Sequence, residues 1–324
     1  MKKIFMLFLT IIFIIPLNIL AYSDKVIVGG ETVGIEVYSK GVYIVGFYKV
    51  NGHDIATSAG FKVGDIIVKV DEHKVSNISS LNTFIDEVRA YEFTVLRNKK
   101  EEKITLTLEK EDNLIKTGLY VKDKINGIGT LSYIDPETRI FGSLGHEILE
   151  SSSLTKFEIQ NGQIYKAEVR SIRKSSNGNA GEKQATIDRN SEEGTVSKNE
   201  LTGIFGKYSS SLENKVVYEV GTKEEIKKGE AFIRTVIDED NVETFKINII
   251  SIDESSDTKN ILFEITDKTL LQKTGGVIQG MSGSPIIQNE KIIGVVNYVI
   301  VSETNKGYGI FITTMLEEGD KLLN

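Results

Sequence analysis

The stretch Thr274–Pro285, TGGVIQGMSGSP, places a serine between two glycines and runs directly into a short apolar strand. A serine hydroxyl is a weak nucleophile unless a base takes its proton and hydrogen-bond donors receive the oxyanion. Gly280 lets the backbone turn sharply, so the amides of Gly280 and Ser282 can point at one spot. The stretch therefore predicts either a nucleophile turn centred on Ser282 or a glycine-rich hairpin turn with solvated serines.

Histidines are scarce, because the chain has only His53, His73 and His146. If Ser282 is activated by a histidine, the base must be one of these three. His146 lies in FGSLGHEI (Phe141–Ile148), a turn of small residues that leads into an apolar stretch. A single histidine is usually structural or exposed, but its pairing with GMSGSP favours a catalytic role for His146. We interpret His53 and His73, which fall in loops of the N-terminal half, as solvated.

The two motifs together carry a specific resemblance. FGSLGHEI, followed far downstream by ITDKTLLQKTGGVIQGMSGSPIIQNEKIIGVV, resembles the stage IV sporulation protein B peptidase family. These are serine peptidases of endospore-forming bacteria, with an N-terminal membrane or signal segment, a PDZ domain and a C-terminal peptidase domain. The resemblance covers nearly the whole chain. It implies a triad of His146 as general base, Asp267 as orienting acid and Ser282 as nucleophile.

The order of these residues implies a fold. His146, Asp267 and Ser282 follow each other as in chymotrypsin-like peptidases, and GMSGSP resembles their Gly-Asp-Ser-Gly-Gly-Pro string, with Met281 and Ser284 as departures. The resemblance therefore implies a mainly β chain, in which a PDZ domain precedes a double β-barrel peptidase domain. Asp267 precedes Ser282 by only 15 residues (282 − 267). Since chymotrypsin-like enzymes take the acid from far earlier in the chain, a rearranged fold stays open.

The chemistry alone leaves other candidates for two of the three roles. Ser284 carries a second hydroxyl near the predicted turn and is a rival nucleophile. Asp123, Asp135 and Asp188 are alternative acids, and Asp267 could be merely a turn carboxylate at the end of a strand. The preference for Asp267 comes from the family segment.

Composition limits the classes of function. A length of 324 residues allows two domains, each with its own core. The net charge is −7 and no basic stripe is visible, so a nucleic-acid partner is not expected. The chain has no cysteine, which excludes disulfides and thiolate ligands. Three scattered histidines without cysteines are a poor ligand set, so neither a metal site nor a cofactor is predicted.

The N-terminus is typical of an exported protein. Lys2 and Lys3 precede an apolar run from Ile4 to Ala21, which predicts a signal peptide or membrane anchor over residues 1–24. The run is close to the length that spans a bilayer, so cleavage and retention both stay open. The body of the protein is expected outside the membrane that it crosses or is tethered to. For a sporulating cell, the resemblance implies the space between the forespore and mother-cell membranes.

Residues 25–112 resemble a PDZ domain. Strands are predicted at Val33–Val37, Gly41–Phe47 and Ile66–Val70, and a helix is predicted where apolar residues recur at i, i+3, i+4 and i+7 from Leu81. The segment AGFKVGDII (Ala59–Ile67) is similar to PDZ sequences.

PDZ domains bind an extended peptide by adding it to a sheet edge. By this resemblance, the backbone amides of Val33, Gly34 and Ile35 would hold a peptide carboxylate. Alternatively, the domain only spaces or regulates the peptidase.

Residues 113–324 are predicted to be the peptidase domain. Many short apolar strands separated by glycine turns predict a barrel or sandwich. Lys174–Thr202 is polar and rich in Ser, Asn, Gly and Glu, so we predict mostly loop there. A C-terminal helix is predicted over Thr314–Leu323.

The resemblance implies an exported serine endopeptidase of sporulation signalling. Such an enzyme cleaves itself near its N-terminal segment and cuts a membrane-associated partner. Cutting that partner releases an inhibited intramembrane protease and so activates a late sigma factor. Two other readings stay open: a catalytically silent adaptor that binds peptides through its PDZ domain, and a general quality-control protease of the envelope.

Overall fold

The structure, a computed structural model, describes residues 22–323. The predicted signal or anchor segment therefore lies outside the described residues, except for its last three positions. Within residues 22–323, none of the helices is long and apolar enough to cross a membrane.

Most of the described chain is β-strand. The strands are β1 (Lys25–Val28), β2 (Thr32–Phe47), β3 (Ile66–Val70), β4 (His73–Lys74), β5 (Ala90–Arg97), β6 (Lys100–Thr107), β7 (Glu109–Glu111), β8 (Leu114–Lys116), β9 (Leu119–Ile134), β10 (Ile140–Ser143), β11 (Ile159–Arg173), β12 (Gly181–Glu200), β13 (Gly203–Tyr208), β14 (Val217–Val220), β15 (Gly229–Val236), β16 (Val242–Ile252), β17 (Ile261–Ile265), β18 (Ile278–Gln279), β19 (Pro285–Gln288), β20 (Lys291–Val299) and β21 (Lys306–Phe311). The helices are α1 (Ile55–Ala59), α2 (Ile78–Phe84), α3 (Lys268–Thr274), α4 (Ile312–Asp320) and a single 3₁₀ turn (Lys223–Glu225).

The first barrel is a closed antiparallel ring of six strands. Its order is β2, β9, β10, β13, β12, β11 and back to β2. Val33, Ile35 and Val37 alternate inward from β2 and are buried in the barrel core, as the sequence alternation predicts. Closure pairs every strand on both sides and leaves no open edge.

The second barrel has the same architecture. Its six antiparallel strands follow the order β15, β16, β17, β21, β20, β19 and back to β15. Alternate residues of β16 and β17 fill the interior, including Phe245, Ile247 and Phe263. The predicted fold class is therefore confirmed: the chain is mainly β, and its peptidase part is a double β-barrel.

A third apolar cluster fixes the two barrels against each other. Ile312, Met315 and Leu316 of α4 pack with Tyr133 of the first barrel and Ile310 of the second. The Tyr133 hydroxyl also donates a hydrogen bond to the Met315 carbonyl at 3.1 Å. Helix α4 thus holds both barrels in one orientation. Its bounds, Ile312–Asp320, overlap those of the C-terminal helix predicted over Thr314–Leu323.

The PDZ-like module is an insertion in the first barrel. The second half of β2 pairs with β3 and with the first half of β9, while their other halves belong to the barrel. Strands β3, β5 and β6, together with both short helices α1 and α2, enclose a separate apolar core around Ile67, Phe93 and Leu106. The chain therefore enters the module after Ser39 and returns near Asp123.

This arrangement differs from the predicted boundary between residues 112 and 113. The first half of β2 belongs to the peptidase barrel and β1 pairs with β9 of that barrel, although both precede the module in sequence. The reason is that β2 is one continuous strand of 16 residues that serves both bodies. Alternation in a sequence indicates a strand but does not identify its neighbours.

The predicted carboxylate-binding loop is wrong. Val33, Gly34 and Ile35 lie inside β2, where they pair with Gly129, Ile128 and Gly127 of β9 and, across the other edge, with β11. Because both edges of this segment are used by the barrel, its amides are directed at neighbouring strands and not at a peptide terminus.

The predicted loop at Lys174–Thr202 is also wrong. It contains β12, a strand of 20 residues that pairs with β11 along a long hairpin and with β13. Much of β12 is exposed, and few of its residues are apolar. Backbone pairing holds the hairpin, and composition gave no sign of it.

Candidate active site

Ser282 lies in a turn between β18 and β19 that requires two glycines. Gly280 and Gly283 have φ values of +92° and +95°, a region that side chains disfavour. A Cβ on Gly283 would also come within 2.1 Å of the Thr130 carbonyl oxygen. The Gly-x-Ser-Gly spacing is therefore dictated by backbone conformation and by close approach to the first barrel.

The turn leaves two amides available as oxyanion donors. The Met281 amide donates to the Ile278 carbonyl at 3.1 Å and the Gly283 amide donates to the Val296 carbonyl at 2.7 Å. Outside the strand ladders, the described chain contains no backbone acceptor for the amides of Gly280 or Ser282. These are the two donors that the sequence predicts, and their role as an oxyanion hole remains a prediction.

His146 follows the end of β10 and approaches the same strand as Ser282. Leu144 and Gly145 have φ values of +71° and +69°, so the chain turns sharply before the histidine. A Cβ on Gly145 would lie 3.2 Å from the Cβ of Asn297. The Ser282 hydroxyl donates to the carbonyl of this same Asn297 at 3.3 Å.

Thr130 joins the histidine segment to the serine turn. Its amide donates to the Ser282 carbonyl at 3.0 Å, and its hydroxyl donates to the Gly280 carbonyl at 2.8 Å. Its own carbonyl accepts the Ser143 hydroxyl at 2.6 Å and the Leu144 amide at 3.4 Å. Sequence reasoning missed this residue, because nothing in GIGTLSY marks a buried threonine as the link between barrels.

One cavity of about 610 Å³ receives both predicted catalytic side chains. Its lining comes from both barrels and includes His146, Gly280 and Ser282. The structure therefore brings the predicted base, nucleophile and oxyanion donors to one site between the barrels.

The imidazole of His146 is held by the backbone. Its Nδ1 lies 2.8 Å from the Glu147 carbonyl oxygen, and its ring stacks on Tyr298 with centroids 5.7 Å apart. Since a carbonyl oxygen only accepts, Nδ1 must carry the proton. In the neutral ring, the free lone pair is then on Nε2. Burial lowers the pKa of His146, which favours this neutral form.

Asp267 lies elsewhere. Its carboxylate accepts the Leu270 amide at 3.0 Å and caps α3, and its own amide donates to the Lys246 carbonyl. Asp267 does not line the cavity, and no hydrogen bond joins it to His146 within residues 22–323. The structure thus brings two members of the predicted triad together, and the third caps a helix.

The rival residues are also placed away from the cavity. Ser284 is fully buried and donates to the Thr235 hydroxyl at 3.0 Å. Asp123, Asp135 and Asp188 each accept backbone amides at other places in the fold. The remaining histidines, His53 and His73, are exposed, as predicted.

A buried lysine lies directly behind the serine turn. Lys183 of β12 is 5% exposed, and its stem would contact a Cβ placed on Gly280 at 3.1 Å. Among residues 22–323, its ammonium group donates hydrogen bonds to the hydroxyls of Thr32 and Thr235, at 3.3 and 3.0 Å. Burial lowers the pKa of Lys183 to about 7. It was missed because it falls in the segment predicted as loop.

Two closed β-barrels with a histidine and a glycine-flanked serine on one shared cavity define a β-barrel serine peptidase. Residues 113–316 match the family described as SpoIVB peptidase S55, and residues 31–108 match the PDZ domain. The first match covers more than half of the chain, and the chain belongs to the SpoIVB peptidase S55 family. The resemblance inferred from the two motifs is thereby confirmed.

Solved structures similar to this chain include the Rv3671c protease from M. tuberculosis. The active form is 14% identical, with 58% of this chain and 70% of that chain covered and a TM-score of 0.31. The inactive form is 14% identical, with coverages of 61% and 84% and the same TM-score. No curated protein matches the sequence.

Proposed function

We propose that the chain is a serine endopeptidase in which Ser282 is the nucleophile and His146 the general base. The observation that carries this proposal is the shared cavity, which His146, Ser282 and Gly280 all line. Membership of a peptidase family supports the same assignment.

The mechanism moves one proton twice in each half-reaction. His146 Nε2 takes the Ser282 hydroxyl proton while the serine oxygen attacks the peptide carbonyl. The amides of Gly280 and Ser282 receive the resulting oxyanion. As the C–N bond breaks, His146 returns the proton to the leaving amine. Water then attacks the acyl-enzyme and gives a proton to His146, which returns it to the serine oxygen as the ester bond breaks and the acyl group leaves as a carboxylic acid.

Asp267 is proposed as the orienting acid because of its place in the family segment. Against that role, its carboxylate caps α3, while the Glu147 carbonyl already holds His146 Nδ1. Asp267→Asn is the sharp test, since asparagine caps a helix about as well as aspartate. Loss of roughly 10⁴ in turnover would support the acid role, by analogy with other triads. Near-normal turnover would show that the backbone carbonyl suffices.

For the biological role, we propose sporulation signalling by an exported or membrane-anchored enzyme. The support is the family assignment and the N-terminal sequence Lys2–Ala21. The enzyme cleaves itself near that segment and cuts a membrane-associated partner, which releases an inhibited intramembrane protease and activates a late sigma factor. The PDZ-like module restrains the peptidase or presents its target.

The test is incubation of the purified full-length chain beside Ser282→Ala, followed by terminal sequencing of fragments. Cleavage at few sites near the N-terminal segment, absent from Ser282→Ala, is the expected result. Broad degradation of unfolded casein would instead indicate a quality-control protease. If the protein binds peptides but cleaves none of these substrates, the chain would be a catalytically silent adaptor.

A further inference from the structure

Most of the side chains that line the cavity beside Ser282 are apolar. Val277 and Ile278 precede the serine turn, and Val296 and Val299 come from the neighbouring strand β20. The first three are at most 2% exposed, so the wall is fixed by the core of the second barrel. Further apolar lining comes from the first barrel, including Leu144 and Ile148.

Ionisable groups are nearly absent from this lining. Among residues 22–323, His146 and Glu147 are the acidic or basic side chains that line the cavity, and both belong to the loop between β10 and β11, residues 144–158, here called the histidine loop. The carboxylate of Glu147 is part-exposed and thus remains partly solvated. In the described part of the chain, the lining contains no lysine, arginine or second carboxylate that could pair with a charge placed between Val277 and Val299.

We infer that the enzyme cuts after apolar residues of extended peptides, with the side chain of the residue that supplies the attacked carbonyl held between residues 277–278 and 296–299. This inference rests on the proposed function. In serine peptidases the pocket beside the nucleophile sets this preference. A charged side chain there would lose its hydration without gaining a partner. A volume of about 610 Å³ exceeds a single side chain and leaves room for neighbouring peptide residues.

The test uses amino-acid diphenyl phosphonates, which react when the serine oxygen attacks phosphorus and displaces phenol. The probes carry the side chains of leucine, phenylalanine, alanine, lysine or glutamate, and labelling of the full-length chain is followed by intact mass. Leucine and phenylalanine should label at least about tenfold faster than alanine. The lysine probe should react more slowly than the alanine probe. The glutamate probe should be slowest, because the carboxylate of Glu147 repels its charge.

A fluorophosphonate without an amino-acid side chain distinguishes failure of the proposed peptidase chemistry from failure of the proposed apolar pocket. If neither this probe nor any phosphonate labels the protein, the proposed peptidase chemistry is wrong. If the small probe labels Ser282 while the five phosphonates react at similar rates, or lysine or glutamate reacts fastest, the apolar pocket is wrong and the peptidase stands.

A substitution in the pocket wall provides a second test of the apolar pocket. Val299→Asp puts a carboxylate at the edge of the pocket and should invert the ratio of leucine to lysine labelling. The matched control is Val301→Asp, two residues on, which is 44% exposed and outside the cavity. It should keep the ratio of the unmodified chain. If Val299→Asp does not fold, the side-chain series on the unmodified protein decides alone.

Discussion

At the scale of single residues, a few buried polar groups position His146 and Ser282, the two residues proposed to react. Thr130 uses its amide, hydroxyl and carbonyl to tie the histidine segment to the serine turn. The Asn297 carbonyl accepts a hydrogen bond from the Ser282 hydroxyl, and a Cβ placed on Gly145, just before His146, would lie 3.2 Å from the Asn297 Cβ. These contacts cross between barrels, which explains how a base and a nucleophile far apart in sequence come to line one cavity.

Thr130→Val should impair the site without changing its shape. Valine keeps the volume but leaves the Gly280 carbonyl without its hydroxyl donor, which costs about 1–3 kcal/mol. We expect slower labelling of Ser282 by a fluorophosphonate and a lower midpoint in urea. Thr130→Ser restores the donor and serves as the control. Equal labelling by the valine variant and the unmodified chain would mean that this hydrogen bond does not position Gly280.

Lys183→Met should stabilise the protein in a pH-dependent way. The folded pKa of about 7 lies below the unfolded value of about 10.4, so the folded state binds fewer protons between these values. The free-energy cost of burying Lys183 is therefore largest below pH 7, and it disappears as pH rises to about 10.4. Methionine removes it, so the gain in unfolding free energy should be largest near pH 6 and small near pH 10. A gain independent of pH would contradict a buried, unpaired ammonium.

At the scale of elements, periodicity predicted strands well and their partners poorly. Val33, Ile35 and Val37 alternate into a core as predicted, yet the segment belongs to the peptidase barrel and not to the module next to it in sequence. The polar strand β12 was missed because few of its residues are apolar, so no alternation of apolar and polar residues reveals it. Pairing of strands distant in sequence is decided by closure of the barrel, which local patterns do not encode.

The cap of α3 is testable as an element. Asp267→Ala removes the acceptor of the Leu270 amide and should lower the unfolding free energy by about 1 kcal/mol. Asp267→Asn should leave stability nearly unchanged, because its side-chain oxygen can take the same hydrogen bond. Urea unfolding of both variants measures the difference. If alanine and asparagine are equally destabilising, the capping geometry is not what holds this end of the helix.

At the scale of the whole molecule, the PDZ-like module interrupts a barrel hairpin. Tyr38 of β2 lies opposite Lys124 of β9, so the chain leaves and re-enters the barrel at neighbouring positions. The histidine loop also touches the module, since the Tyr43 hydroxyl accepts the Glu158 amide and Tyr43 stacks on Phe157. Module and peptidase are thus joined at the strand and at the loop that follows His146.

Two deletions should behave oppositely because of this topology. A fragment of residues 113–324 lacks β1 and the barrel half of β2, so the first barrel cannot close and the fragment should not unfold cooperatively. Replacing residues 40–122 by a two-residue Asn-Gly turn should close a hairpin and preserve both barrels. Thermal unfolding followed by circular dichroism distinguishes them. A cooperative transition in the 113–324 fragment would contradict the assignment of β2 to the barrel.

The candidate residues His146 and Ser282 could be predicted from the sequence, and the buried groups that surround them could not. Scarcity of histidine and the glycines around Ser282 pointed to His146 and Ser282 from sequence alone. The acid of the triad could not be assigned in this way. A carboxylate at the end of a strand can cap a helix as readily as it can orient an imidazole. Buried groups such as Lys183 were invisible, since their role depends on packing across the barrels.

The central claim is that folding brings the His146 imidazole to the Ser282 hydroxyl to cut amide bonds. The most direct measurement is the rate of fluorophosphonate labelling of the full-length chain, with the labelled residue identified by mass spectrometry. We predict labelling at Ser282, loss of the label in Ser282→Ala, at least about 100-fold slower labelling in His146→Ala, and unchanged labelling in the exposed control His53→Ala. Labelling at another residue, or an unchanged rate in His146→Ala, would contradict the account.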